Sequence, residues 1–439
     1  MTPEDLCDAV LELVGSRAEA ETSAREGRYA LTRFANSVIH QNVAEDNRFV
    51  RVRVVSEGRQ AAASTNRVDT EGLTRLVESA LEAARLRPPD PDWPGLAPPA
   101  PVSPVDHYDD DTRFAPPESR AAVVQAFVAS APDLLGAGYC DSGGFDVCFA
   151  NSAGQRALAR YSHTAVDGVH RTATSDGAGW QTADTLREID GAAAGDAAAA
   201  AARSGESGAI DIEPGEYEVV LGPRCVADIV GFLGAYGFNA KAHAESRSFV
   251  RVGERQLDAS LGLFDDVADP RALGIPFDAE GTPKRRVDLV RAGTVEGLLH
   301  DRRTARLAGT ESTGHAIVGG ESFGPMASNL FLEGLGAQSI DQVVGGVERG
   351  LYVSDFWYTR VIDPKSLVVT GLTRNGTFLI ENGAVTKAIS NLRFTQSYAD
   401  ALAPGAVLGT GDDGRLVDSS TFVPSLRLAA WRFTGGARG

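Results

Sequence analysis

Residues 204–208 read SGESG, residues 217–223 read YEVVLGP, and residues 225–236 read CVADIVGFLGAY. The first run holds only Gly, Ser and Glu and marks a boundary. Tyr217–Leu221 has the composition of a strand, and Pro223 is suited to a first helical position because its missing N–H costs nothing there. Cys225–Tyr236 continues as an apolar helix. Downstream, up to Trp431–Phe433, short β-type runs alternate with Gly-, Pro- and Asp-rich turns, and a helical period recurs only at Ile340–Arg349. Upstream, helical and strand patterns are mixed. The fold class expected is α+β: an N-terminal mixed helix/sheet domain over 1–205, then a β-dominated, largely antiparallel C-terminal domain over 206–439.

Working outward toward the N-terminus, Glu4–Gly15 carries Leu6, Val10, Leu11 and Val14 on one helical face. Ala30–Ser64 alternates in short runs. Within it Val50, Val52 and Val54 oppose Phe49, Arg51, Arg53 and Val55, the period of a half-buried strand ending at Glu57-Gly58-Arg59. Asp69 or Thr70 caps a helix through Leu73, Leu76, Val77, Ala80, Leu81 and Ala84. Eight of the 17 residues in 88–104 are proline, which fixes φ and removes donors, so this Pro-rich connector is expected to run extended over a surface. Ser119–Ala131 reads as a short helix. Asp141-Ser142-Gly143-Gly144 reads as a tight turn between strands, Arg156–Asp167 and Val169–Gln181 continue the β alternation, and Thr185–Ala202 is Ala-rich and helical.

Lys and Arg total 42 against 59 Asp and Glu, a net charge of −17. That balance argues against nucleic acid or an anionic membrane as main partner, since phosphate binding needs clustered cations. The longest apolar stretch, Gly191–Ala202, is interrupted by Asp196, and the start MTPEDLCDAV lacks a basic region. A cytoplasmic protein is expected. Cys7, Cys140, Cys148 and Cys225 form no C-x-x-C pair, so free thiols are expected.

The residues offer little conventional catalytic chemistry. None of the seven histidines is followed by Glu, and the nearest two, His163 and His170, are seven apart, unlike a helical zinc motif with ligands one turn apart. Ser142 in the DSGG run and the Ser312/His315 neighbours are weak nucleophile candidates, because turn chemistry accounts for the first and a base–nucleophile pair is rarely this local. Gly409, Gly411 and Gly414 satisfy G-x-G-x-x-G, but the strand-like Arg415–Ser419 follows where a dinucleotide fold needs a helix. Lys284-Arg285-Arg286 and Arg302-Arg303 read as solvated strand faces.

Several ordered pieces of the second half nevertheless resemble the TldD/PmbA (TldE) metallopeptidase family. Pro276-Phe277-Asp278-Ala279-Glu280-Gly281-Thr282 is similar to its PFDxEG segment, and Arg285–Gly293 to the strand that follows. Leu307–Gly309 with Ser312-Thr313-Gly314-His315-Ala316 resembles its LG…STGHA stretch. Gly324–Leu330 resembles P…NL, Glu348–Val353 resembles GLYV, and Ile380-Glu381-Asn382-Gly383 resembles xENG. The resemblance implies two kinds of subunit: TldD, with a zinc-binding HExxxH helix and a distant Cys, and TldE, which lacks those ligands and pairs with TldD. Here the corresponding span, Gly231–Ser248, holds His243 and Glu245 separated by Ala244, with no second His, and no Cys follows residue 225. The resemblance therefore implies a TldE-like subunit with no catalytic or metal-ligating residue and no cofactor of its own, zinc being held by the TldD-like partner. It further implies a heterodimer with that HExxxH subunit, or a homodimer if the partner is absent. Its ligand would be an unfolded or modified peptide, with natural-product precursor maturation one role. Leu367–Arg374 and Gly376–Glu381 are expected to be edge strands that pair with the peptide backbone. The substrate-binding candidates are His243, Glu245, His315, Thr370, Gly371, Thr373 and Asn375. A stand-alone hydrolase with an unorthodox site built on His243, Glu245 or His315, and a homodimeric peptide-binding or regulatory protein, remain as alternatives.

Overall fold

The structure, a computed structural model, describes residues 1–436. The first half contains α1 (Pro3–Val14), β1 (Glu19–Ala35), β2 (Val38–Ser56), β3 (Arg59–Thr65), α2 (Thr70–Arg85), α3 (Asp110–Arg113), α4 (Pro117–Ala129), β4 (Leu135–Asn151), β5 (Arg156–Arg171), β6 (Asp176–Ala183) and α5 (Gly191–Ser204). Its strands form one antiparallel sheet in the order β3-β2-β1-β4-β5-β6. Helices α1 and α2 seal one end of a face: Leu6, Val10, Val77 and Ala80 pack on Val50, Val52 and Val54, all fully buried. Helices α4 and α5 seal the other end around Phe34, Phe127 and Val166. Asp69 is the cap of α2, accepting from the Gly72 N–H at 2.6 Å.

The second half contains β7 (Gly215–Leu221), α6 (Pro223–Phe232), α7 (Ala240–Ala244), β8 (Leu261–Asp265), β9 (Val287–Arg291), β10 (Thr294–Val295), α8 (Arg302–Ala308), α9 (Gly320–Phe323), β11 (Leu330–Gly334) and α10 (Ile340–Gly345). It continues with β12 (Arg349–Asp363), β13 (Val368–Glu381), β14 (Ala384–Ala388), β15 (Leu392–Ser397), α11 (Tyr398–Ala401), β16 (Val407–Thr410), β17 (Arg415–Val417), β18 (Thr421–Val423) and β19 (Leu426–Gly436). One sheet runs β10-β9-β8-β11-β18-β17; the other runs β12-β7-β19-β15-β13-β14, with β16 on β19. Among the named strands of the described residues, only β11–β18 and β7–β12 pair in parallel. Because β12 also pairs with β13, strands β12, β7, β19, β15 and β13 close into a ring. Closure removes the edges that an open sheet exposes. Inside lie Trp431, Phe394, Phe433, Tyr398 and Val353. The molecule is thus α+β, with an antiparallel-dominated second half.

Several sequence expectations change. The run Asp141-Ser142-Gly143-Gly144 is no turn but the middle of β4, paired on one side with β1 and on the other with β5. Neighbouring strands override its turn propensity. Asp141 is tied to β5 twice, its carbonyl accepting from Thr164 Oγ1 at 2.6 Å and its carboxylate from the Ala165 N–H at 2.8 Å. Ala30–Ser64 is not a set of short runs: β1 and β2 are 17 and 19 residues long. The helix expected over Thr185–Ala202 starts at Gly191, capped by Asp190. The helix from Pro223 gives way at Leu233–Gly237 to a π-turn, and the one from Ile340 ends at Gly345. Arg302 and Arg303 are not on a strand; they open α8 and hold the connector. Arg302 donates to the Pro94, Gly95 and Leu96 carbonyls, Arg306 to the Trp93 carbonyl, and Arg303 pairs with Asp90. Lys284, in the other basic run, is half-buried rather than solvated. Leu367–Arg374 and Gly376–Glu381 are not edges. From Val368 on they belong to one interior strand, β13, flanked by β12 on one side and by β15 and β14 on the other.

Candidate functional site

The PFDAEG and STGHA segments meet in a buried polar knot between the halves. Asp278, 5% exposed, accepts from the Glu280 and Thr282 N–H groups on Oδ1 and from the Ala316 N–H on Oδ2, each at 2.9 Å. One carboxylate thereby closes its own turn and clamps the second segment. Glu280 carries the joint to the first half. Its Oε1 lies 3.6 Å from Arg53 Nη2, and Arg53 also meets Glu21 at 2.8 Å and Glu321 at 3.3 Å. Burial, and next the Asp278 charge, push the Glu280 carboxyl up to about 8. Gln155 of the first half donates to the Gly281 carbonyl at 2.7 Å.

His315 sits beside this knot, 2% exposed. Its Nδ1 is 2.9 Å from Thr313 Oγ1 and its Nε2 is 3.0 Å from Asp265 Oδ1. Asp265 Oδ2 accepts from the Ser328 and Asn329 N–H groups at 2.7 and 2.8 Å. Burial alone would raise the Asp265 carboxyl. His315 and those two N–H groups outweigh it, so it lies below the usual carboxylate range. The Thr313–His315–Asp265 row has the order of a catalytic relay, yet all three side chains are enclosed, and Thr313 also donates to the His300 carbonyl at 3.0 Å. The row ties loops together.

His243 and Glu245 lie at α7. Asn239 caps this short helix, its side chain accepting from the Lys241 and Ala242 N–H groups. Glu245 is exposed and held by Lys241 and by Arg247 Nε at 2.8 Å, cations that lower its carboxyl. His243 is half-buried, near His300. The remaining candidates share β13. Thr370 Oγ1 donates to the Phe394 carbonyl at 2.9 Å, Gly371 passes under Phe394, and Thr373 is buried and accepts from Thr377 Oγ1 at 2.7 Å. Thr373 and Asn375 line a cleft of about 910 Å³ with Trp357, Arg374 and Arg393. The structure thus groups Thr370, Gly371, Thr373 and Asn375 on one strand, places His243 on α7 with Glu245 at its C-terminal cap, and sets His315 in a separate buried cluster.

Two clusters were not singled out by the sequence. Arg224, at the start of α6, pairs with Asp167 of β5 and with Asp355 of β12 at 3.4 Å. Burial raises Asp355 to about 6 despite that cation. Arg224 also lies over the Trp180 ring at 4.7 Å, in a cleft of about 690 Å³ between α5 and the second half. On the open face of the first sheet, Asp141 accepts from Tyr29 at 3.3 Å with His163 stacked nearby. Burial raises Tyr29 to about 12. The Arg224 pairs span 57 and 131 positions and the Tyr29–Asp141 pair spans 112, so spacing gave no signal.

The donors around α7 decide whether it could hold zinc. A structural or catalytic zinc needs three or four N, S or O ligands converging within about 2.0–2.3 Å. Glu245 is committed to two cations, and Cys225 is fully buried with its thiol toward the Val353 carbonyl. Among the described residues no three His, Cys, Asp or Glu side chains come together so that they could hold a metal ion. The donors present do not fit zinc.

An antiparallel helix-backed sheet clamped by a motif knot to a ring-closed β-domain defines a two-part α+β scaffold. Comparison with known proteins gives it a family. Residues 214–435 match the PmbA/TldA metallopeptidase C-terminal domain and residues 20–84 match PmbA/TldA metallopeptidase domain 1, so the chain belongs to the PmbA/TldA metallopeptidase family. It is 29% identical over 146 residues to the metalloprotease slr0863 of Synechocystis, covering 32% of this chain and 31% of that protein. It is 24% identical over 230 residues to a metalloprotease TldD homolog of Buchnera aphidicola, covering 49% and 47%. The matched stretch thus spans less than half the length of either relative. Among solved structures, a Thermotoga maritima protein described as a modulator of a DNA gyrase superposes with TM-score 0.86 at 18% identity, covering 98% of this chain and 100% of that one. TldE from Thermococcus kodakarensis does so with TM-score 0.84 at 18% identity, covering 98% and 99%. At these identities the likeness concerns fold. No helix among the described residues is long and apolar enough to cross a membrane.

Proposed function

We propose that this chain is a TldE-like, non-catalytic subunit of a two-subunit PmbA/TldA-type metallopeptidase. It pairs with a TldD-like subunit that supplies HExxxH and zinc, and it helps hold an unfolded or modified peptide. A cytoplasmic setting, and natural-product precursors as one substrate class, accompany the reading. The observation that carries it is the donor set at α7, where His243 stands without converging ligands and Glu245 is tied up by Lys241 and Arg247. Zinc hydrolysis needs a metal that acidifies bound water and polarises the carbonyl, and these side chains cannot anchor one. The closed ring and the polar knot supply a rigid wall for a partner to pack against.

The test is a peptidase assay on this chain alone, on an HExxxH-bearing subunit alone, and on the two mixed, with metal analysis of each. The expected result is hydrolysis in the mixture with zinc confined to the HExxxH subunit. Hydrolysis by this chain alone, with stoichiometric zinc lost on His243→Ala, would overturn the reading.

A further inference from the structure

We infer that the outer face of the β12–β13–β15–β19 layer is a docking surface for an acidic polypeptide segment. The strand register places the residues. Trp357, Leu372 and Arg393 lie abreast on β12, β13 and β15, and Arg360, Thr370 and Thr395 form the next row. Side chains abreast on neighbouring strands stand about 5 Å apart. Arg432 continues the second row on β19, since its neighbours Trp431 and Phe433 point inward. Arg374 stacks on the Trp357 ring at 4.2 Å, and Arg360 on the Tyr358 ring at 4.3 Å.

Two features set this face apart. The first is charge. Arg360, Arg374, Arg393 and Arg432 are all exposed, and among the described residues none has a carboxylate within 4.0 Å, although the chain carries a net −17. Asp176 and Asp211 line the same cleft, Asp176 being turned to Arg171 at 3.6 Å, and Glu216 of β7 stands abreast of Arg432 without a salt bridge to it. The second is the backbone. Between Trp357 and Arg360 strand β12 gains one residue relative to β13, and Tyr358 takes φ +57°. A bulky side chain rarely adopts that region, and such outliers persist only where the surroundings enforce them. The bulge turns Trp357 and Tyr358 outward in succession, 52% and 64% exposed, with Ile362 further along β12 at 58%. It sends Thr359 inward, where its Oγ1 donates to Asp228 at 2.7 Å. Gly371 makes room beneath: a Cβ there would stand 2.8 Å from Thr359 Cγ2.

Exposed Trp, Tyr and Arg in one patch are the side chains that dominate protein interfaces. The unpaired guanidinium groups select carboxylates, bidentately and by long-range attraction. A second copy docking by two-fold symmetry would set these arginines against each other, so the occupant is an acidic segment of another polypeptide. The inference goes beyond the proposed division of labour, because it is read on this chain without any partner.

The experiment is fluorescence anisotropy of the full chain with a fluorescein-labelled glutamate-rich peptide carrying one aromatic residue. A lysine-rich peptide and single-stranded DNA are run alongside. Expected are saturable binding of the acidic peptide that weakens as salt rises, and a loss of about tenfold or more on Arg360→Glu/Arg393→Glu and on Trp357→Ala. Arg85→Glu, a charge reversal on the distant helix α2, should leave binding unchanged. Four results would each overturn the inference: no binding of the acidic peptide, equal binding of the lysine-rich one, DNA binding as tight or tighter, or binding insensitive to the Trp357 and arginine changes.

Discussion

Asp278→Ala gives the sharpest test of the knot that joins the halves. The carboxylate satisfies three backbone N–H groups at 2.9 Å from a position 5% exposed. Truncation leaves all three without a partner, and a buried donor left unpaired costs about 1–3 kcal/mol. Water refills part of the space, so the total should fall at roughly 3–6 kcal/mol, a large share of a typical stability of about 5–15 kcal/mol. Asp278→Asn separates the contributions. Its amide oxygen can still accept from Glu280 and Thr282, while its NH2 opposes the Ala316 N–H, so the loss should be about 1–3 kcal/mol. Urea midpoints of the three proteins give the ranking, and hydrogen exchange at the Glu280, Thr282 and Ala316 amides gives the cause. The Asn variant should free only Ala316; the Ala variant should free all three. A loss below about 1 kcal/mol for Asp278→Ala, or an unchanged Ala316 exchange rate, would refute this account of the motif.

Two further outcomes follow from the same structure. Glu280 is raised from 4.5 to about 8 by burial and the neighbouring Asp278 charge, so its contribution is full below its unfolded pKa and disappears as pH rises through about 8. Melting temperature should decline as pH rises from about 4.5 to about 8 and level off above that, and Glu280→Gln should flatten that limb; an identical slope in both proteins would contradict the assignment. At Gly179, on β6, an added Cβ would lie 1.8 Å from the Ala194 carbonyl oxygen of α5. Gly179→Ala should therefore displace the helix and cost about 1–3 kcal/mol in a urea titration, whereas a neutral substitution would mean that α5 is not pressed on the sheet.

What the sequence disclosed and what it hid divide along physical lines. Helices with one apolar face were legible because their partner is a single sheet face: α1, α2 and the Asp69 cap fall where the period puts them. The same holds for Val50, Val52 and Val54. The distal part of β2 hid because it is exposed on both sides, so no alternation marks it. Asp141–Gly144 misled because turn residues carry their usual meaning only when no neighbour claims the backbone, and here β1 and β5 both do. At the site, PFDAEG and STGHA were visible as motifs, but not the fact that Asp278 of one clamps Ala316 of the other. Edge character could not be read for β13, since it depends on the ring closure through β12. The patch around Trp357 escaped because a bulge changes which side of a strand each residue occupies, and one-residue slips leave no mark in composition.

The proline-rich strap has a bearing on how the chain is made. Asp90 meets Arg303, and Trp93 meets Arg306, across 213 residues. At bacterial-to-eukaryotic translation speeds of about 5–20 residues per second, the anchor leaves the ribosome roughly 10–40 s after the strap. During that interval the strap is held only by the first half, through the Asp90 N–H on the Gly58 carbonyl at 2.7 Å and the Ala100 N–H on Gln155 at 2.7 Å. Its eight prolines then keep it stiff and short of backbone donors, which limits the wrong pairings a nascent polypeptide could make while it waits.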